Sequence, residues 1–221
     1  LAEPSRLIGL HFFNPVSRMM LVEVVAGRDS DPSALARGAA FVRAIDKLPL
    51  PVKSALGFLV NRVLAPYLMT AMRCVDEGIA PEVVDEAAVA FGMPMGPIEL
   101  ADTVGLDICM AVGRMLGGAE QPPKALAQHV QAGELGKKSG KGFYTWVGGR
   151  AQKAAASSVP PALGRRLVDP LVAEAQSALA AGIVSDADLV DAGAIFGAGF
   201  APFRGGPLHF AHARDPLMPL V

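Results

Sequence analysis

Two rhythms of apolar and polar positions run along this chain of 221 residues. From Leu7 to Phe13, and again from Met20 to Val25, the runs are short, rich in branched and aromatic residues and bounded by turn formers. That texture predicts two buried strands. Asn14, Pro15, Ser17 and Arg18 lie between them and predict a hairpin centred near Val16. Asp31-Pro32 then reads as an N-cap followed by proline at the first helical position, opening a helix to about Lys47 with Leu35, Ala39, Val42 and Ile45 on one stripe. Leu48 to Val52 carries Pro49 and Pro51, which restricts it to a sheet edge or to a non-strand segment.

From Gly57 onward the period is helical. Phe58 to Asp76 holds a continuous apolar stripe, with Pro66 placed to kink it. Pro81 to Phe91, Pro97 to Leu116 (bent near Gly105) and Pro122 to Gln131 follow as helices. A Gly/Lys-rich loop spans Gly136 to Trp146, and the Gly/Ala/Ser stretch from Val147 to Ser158 reads as a linker. Leu163 to Ala181, Asp186 to Phe196 and Gly206 to Ala213 are predicted as further helices. The two helical parts echo one another: Gly78-Ile79, Phe91-Gly92 and Pro97 recur as Gly182-Ile183, Phe196-Gly197 and Pro202, which points to an internal duplication. The expected organisation is 1–53 as the end of a nucleotide-binding domain, 54–146 as a helical domain, 147–160 as a linker and 161–221 as a second helical repeat.

Composition narrows the function classes. Lys plus Arg is 20 against Asp plus Glu 21, so no basic excess argues for nucleic acid or anionic lipid. Cys74 and Cys109 fall inside apolar helical patterns and read as buried thiols of a reducing compartment. No signal-peptide pattern is visible, and no apolar run reaches the length of a membrane span without a charge, Gly or Pro. A cytoplasmic protein is expected. His129, His209 and His212 lack metal-like spacing and read as helix-surface residues, so no metal is expected.

The candidate chemistry lies near the start. In a hairpin centred at Val16, His11 stands opposite Leu21 and Glu23 is its diagonal neighbour on the same face, within reach of a long side chain. A carboxylate on one ring nitrogen fixes the tautomer and stabilises the imidazolium, leaving the other nitrogen as a general base. The plain alternative is a half-buried core histidine beside a solvent-facing glutamate. Asn61 reads equally as a helix-start residue, Asn14 as a turn residue and Lys137, Lys138 and Lys141 as a solvated basic loop.

Five segments in this order resemble the 3-hydroxyacyl-CoA dehydrogenase family of fatty-acid β-oxidation. They are Gly9 to Pro15, Leu21 to Val24, Gly57 to Arg62, Gly92 to Asp102 and Gly136 to Tyr144. Gly199 to Gly206 is similar to the extra C-terminal repeat of the long, multifunctional members. The resemblance implies a mainly α chain: the C-terminal remnant of an α/β, Rossmann-like NAD-binding domain, then two related all-helical C-terminal units. It implies oxidation of L-3-hydroxyacyl-CoA to 3-ketoacyl-CoA with NAD. His11 would be the base and Glu23 the carboxylate that orients it. Asn61 would contact the substrate, and Asn14 and Lys138 the cofactor. An acyl-CoA substrate and helical units that pair with each other or in a homodimer are the implied partners.

The chain departs from the family in three respects. No G-x-G-x-x-G turn follows a strand, since Gly113 to Gly118 and Gly193 to Gly199 both fall in helical patterns. Only Ser5 precedes His11 where the family places a catalytic serine, and Phe196 stands where some long members carry a tyrosine. An incomplete NAD-binding domain, with little turnover by this chain alone, is therefore expected. A non-catalytic helical module for dimerisation or assembly is the alternative reading.

Overall fold

The computed structural model describes residues 1–117, 120–156 and 158–214. Gly118, Ser157 and the last seven positions of the expected second repeat lie outside the described residues. The chain divides into two compact units, one built from Leu1–Val63 with Glu174–Val221 and the other from Leu64–Ala173.

In the first unit, β1 (Ile8–Phe12), β2 (Leu21–Ala26) and β3 (Leu48–Lys53) form a sheet in the order β1-β2-β3. β1 runs antiparallel to β2, and β3 lies parallel to β2 after the crossover helix α1 (Pro32–Ala44). Asp31 opens that helix by accepting a hydrogen bond from the Ser33 amide at 2.6 Å. Strand alternation sends Val22 and Val24 to one face, where they pack with Val42 of α1 and with Leu10, Phe12 and Leu35. His11 and Glu23 therefore share the opposite face.

That opposite face is covered from two directions. The start of α2 (Val60–Asp76) brings Leu59 and Val60, both buried, and α2 then continues into the second unit. α8 (Ala187–Gly193) and the π-turn after it, Ala194–Ala198, come close enough that a side chain cannot be admitted. A Cβ on Gly193 would lie 2.6 Å from Leu59 and 2.8 Å from Leu50, and one on Gly197 would meet Val60 and Leu21.

The expected hairpin register is off by two residues. His11 pairs directly with Glu23, not with Leu21. The segment from Phe13 to Met20 is no tight turn: Arg18 and Met19 both donate backbone N–H bonds to the Pro15 carbonyl, closing one helical turn. Lys47 holds it by donating to the carbonyls of Val16 at 2.7 Å and Met19 at 2.8 Å. This longer connection moves the centre of the pairing and brings the acid opposite the base.

The second unit is helical: the rest of α2, then α3 (Pro81–Phe91), α4 (Pro97–Val104), α5 (Leu106–Leu116), α6 (Lys124–Gln131) and the first part of α7 (Leu163–Ala180). Gly105, at φ +109°, separates α4 from α5, where one bent helix was expected. Tyr67, Met72, Ile98, Leu106, Leu126, Leu167 and Leu171 are fully buried in it. Carboxylates of one helix cap the start of another. Asp76 accepts from the Lys124 and Ala125 amides of α6, and Asp85 from Ile98 and Glu99 of α4. In the stretch expected to be a linker, β4 (Thr145–Val147) and β5 (Arg150–Gln152) pair across Gly148-Gly149, both at positive φ.

The expectation of two related helical units is overturned. Residues 174–214 pack with the sheet as part of the first unit and do not form a helical unit of their own. The local geometry differs as well. Helix α3 ends at Phe91 on a left-handed Gly92, and Pro97 begins α4 at its first position. The corresponding stretch winds into the π-turn at Ala194–Ala198. Its Pro202 begins only a short 3-10 turn, and the next helix, α9 (Pro207–Arg214), starts later. Similar turn residues punctuate both stretches because glycine and proline end helices in any fold.

Candidate active site

His11 and Glu23 meet because they occupy opposite positions of an antiparallel pair, where side chains on one face point the same way. The His11 Nδ1 lies 2.7 Å from Glu23 Oε2. A carboxylate only accepts, so Nδ1 carries the proton, and in the neutral ring Nε2 is the basic nitrogen. The two groups differ in exposure: the Glu23 side chain is fully enclosed, whereas 31% of the His11 side chain remains open. Phe13 meets the imidazole edge-on at 4.7 Å between ring centres, and Phe58 is tilted against it at 5.4 Å.

A buried carboxylate is costly unless its oxygens are matched by donors. Glu23 satisfies this with its second oxygen, Oε1, which accepts from the backbone N–H groups of Leu59 at 2.9 Å and Val60 at 3.0 Å. These are orphan donors at the start of α2, and the positive end of that helix favours the charge. No side chain of the local sequence Gly57-Phe58-Leu59 is a cap former. The cap arrives instead from β2, and it explains why an acid stands in a run of buried valines. Gly57 and Phe58 both adopt positive φ, 73° and 49°, turning the chain sharply into the helix and setting Phe58 beside His11.

The other residues singled out from the sequence are placed as follows. Asn61 sits in the first turn of α2, half-buried, with no side-chain hydrogen bond among the described residues. Asn14 is exposed at the end of β1, before a cis peptide bond to Pro15. Lys138 belongs to the second unit, where its ammonium lies 2.5 and 2.7 Å from the two oxygens of Asp107. This pairing holds the Asp107 carboxyl below its ordinary range. His129 is no bare surface residue: it pairs with Glu134 at 2.8 Å, and Lys141 joins the same carboxylate at 2.5 Å.

Sequence reasoning missed three buried acids: Asp191, which accepts from the Leu208 and His209 amides, and the pair Asp102 and Asp85. Asp102 accepts from the amides of Phe143 and Tyr144 and from the Trp146 indole, all at 2.9–3.0 Å, and so ties down the Gly/Lys loop. Asp85, besides capping α4, accepts from the Tyr144 hydroxyl and pairs with Lys153, each at 2.8 Å. Burial still pushes the Asp85 carboxyl upward. An acid alone on a strongly apolar helix face was the available signal for Asp85 and Asp102. Cys74 and Cys109 are free and buried, and burial raises both thiols, Cys109 to about 12, which removes them as nucleophiles. No group of metal-ligating side chains, and no helix long and apolar enough to cross a membrane, exists among the described residues.

Residues 57–146 match the model of the 3-hydroxyacyl-CoA dehydrogenase C-terminal domain, and residues 1–55 that of the NAD-binding domain of the same enzymes. The chain belongs to the 3-hydroxyacyl-CoA dehydrogenase family. Among curated relatives, the fatty acid oxidation complex subunit alpha of Shewanella oneidensis is 38% identical over 95% of this chain. The chain spans about a third (32%) of that relative's length. Among solved structures, the 3-hydroxybutyryl-CoA dehydrogenase of Escherichia coli superposes with a TM-score of 0.80 at 27% identity, covering 96% of this chain and 64% of that one. The (S)-3-hydroxybutyryl-CoA dehydrogenase PaaH1 of Ralstonia eutropha gives 0.63 at 37% identity, over 66% and 54% of the two chains. The family's NAD-binding model at the front and a whole dehydrogenase as structural neighbour account for this chain without a duplicated C-terminal unit.

The described residues of this dehydrogenase-family chain fit a dinucleotide at one end only. A half-open imidazole with a bare nitrogen, walled by two aromatic rings, suits a redox-active ring and an alcohol. No pyrophosphate cradle accompanies it. Gly113 lies within α5 and Gly193 ends α8, so neither glycine run forms a turn between strand and helix.

Proposed function

We propose that this chain forms the acid–base portion of an NAD-dependent 3-hydroxyacyl-CoA dehydrogenase of fatty-acid oxidation, acting on L-3-hydroxyacyl-CoA. The observation that carries this reading is the His11–Glu23 pair, 2.7 Å apart, with one nitrogen of the ring left open. His11 Nε2 accepts the proton of the substrate's 3-hydroxyl as the carbonyl forms. Glu23, whose other oxygen accepts from two backbone amides, stabilises the imidazolium that results and returns the ring to the same tautomer after each turnover. NAD, when bound, accepts the hydride leaving C3. Asn61 presents its unpaired amide to the substrate near the reacting oxygen. Asn14 lies at the nicotinamide side, and Lys138 is assigned to the cofactor from the helical unit. Without a glycine-rich cradle among the described residues, residues 1–221 alone are expected to turn over slowly.

The test uses the longer protein that carries these residues. Oxidation of L-3-hydroxybutyryl-CoA should fall by about 10²–10⁴-fold in His11→Ala, the range for losing a general base, with NAD affinity unchanged. Near-normal turnover in that variant overturns the assignment of the base.

A further inference from the structure

An open groove in the first unit lies on the face of the sheet away from His11. It offers about 580 Å³ between α1, the β2–β3 pair and the turn from Gly182 to Ser185. That volume is within the range of small-ligand sites, roughly 300–1,000 Å³. Its wall is aliphatic, with Val24, Leu35, Ala39, Val52 and Ile183 among its members. One charged residue reaches it, Lys53, the last residue of β3. Ser185 also lines it, but its hydroxyl donates to Asp186 at 3.0 Å, and Asp186 in turn caps α8 through the Leu189 amide.

Two observations argue that this space is not merely a place for one more strand. Positions 49, 51 and 53 share the outward side of β3: the first two are prolines, and the Lys53 amide donates to the Ile183 carbonyl at 2.8 Å. The edge therefore has no free donor on which a ladder could grow. Lys53 is exposed, and its ammonium has no carboxylate partner among the described residues, although the backbone beside it is fixed. An open aliphatic groove with one unpaired, exposed cation at its rim is complementary to an alkyl chain ending in one negative charge.

We infer that this groove binds a medium-chain carboxylate, its alkyl chain between α1 and the sheet and its carboxylate on Lys53. The site is separate from the His11 face and does not depend on the dehydrogenase reading. Titration calorimetry of the whole chain with decanoate, 1-decanol and decylamine tests it directly. Decanoate should bind saturably and the amine should not, with the alcohol weaker by roughly tenfold, about 1.4 kcal/mol. Lys53→Met should erase the preference for decanoate over decanol, and Ala39→Phe, which fills the groove, should weaken both. Retained helical circular dichroism in each variant makes the comparison valid, and Lys53→Arg should keep the preference. Equal binding of all three probes, no binding of decanoate, or decanoate binding untouched by Ala39→Phe would each overturn the inference.

Discussion

Replacing Glu23 separates two jobs that the structure gives to one carboxylate. In Glu23→Ala the amides of Leu59 and Val60 lose their acceptor in a site closed to water, and His11 loses its partner. Each buried, unsatisfied donor costs about 1–3 kcal/mol, and breaking a buried charged pair from one side costs about 3–5 kcal/mol in measured cases. These terms overlap, so a loss of about 4 kcal/mol is expected, or roughly 8–16 °C in Tm for a chain of this size. Glu23→Gln keeps the shape. Its carbonyl can still accept from both amides, and only the charge assistance is lost, about 1–2 kcal/mol. Its NH₂ group, however, now donates toward His11 Nδ1, which drives the ring proton to Nε2 and leaves no base facing the open side. Urea unfolding measures the first effect, and nitrogen-15 chemical shifts of the His11 ring measure the second. A Glu23→Ala variant as stable as the parent, or a Glu23→Gln variant whose Nε2 stays bare, would refute the dual role.

Four other outcomes follow from described contacts. Asp102→Ala removes the acceptor of three hydrogen bonds and should cost about 2–4 kcal/mol in chemical unfolding, with a change in Trp146 fluorescence as the loop is released. Gly96→Ala places a methyl inside the Asp85 carboxyl, so the pair must part and Tm should fall by several degrees, whereas Gly133→Ala meets open space and suffers only from its φ of +73°. Glu134 is held below its usual value of 4.5 by Lys141 and then by His129, so its share of stability is present above that pH and disappears as pH falls through the lowered value. Acid titration of Glu134→Gln should therefore lack part of the loss that the parent shows below about pH 4.5. Arg62→Ala cuts the links of α2 to Glu174 and Ser177 and should raise hydrogen exchange at the start of α2 with little change elsewhere in the sheet.

The strands, the crossover helix and the acid–base pair were legible because strand alternation and an acid among valines leave a mark in a short window. The register was not. It depends on how Phe13 to Met20 folds, and the lysine that holds that segment comes from the far end of α1. The cap on α2 was invisible for the same reason, since donor and acceptor are 36 residues apart. Gly105 as a break was foreseen as a bend, and its positive φ makes it a full separation. Val147-Gly148-Gly149-Arg150 did carry a hairpin signal, but the small residues after it gave the whole stretch the look of a linker. The apparent duplication shows the opposite failure, because punctuation alone was read as architecture. Asn61, Asn14 and Lys138 were drawn from resemblance, because a helix-start amide, a turn residue and a loop lysine carry no pattern of their own.

The outer margin of β3 carries its own protection. Two prolines and an amide already committed to Ile183 leave no backbone N–H facing outward along that strand. An extended segment arriving from another molecule finds no donor there to pair with, so this rim does not seed sheet growth between copies.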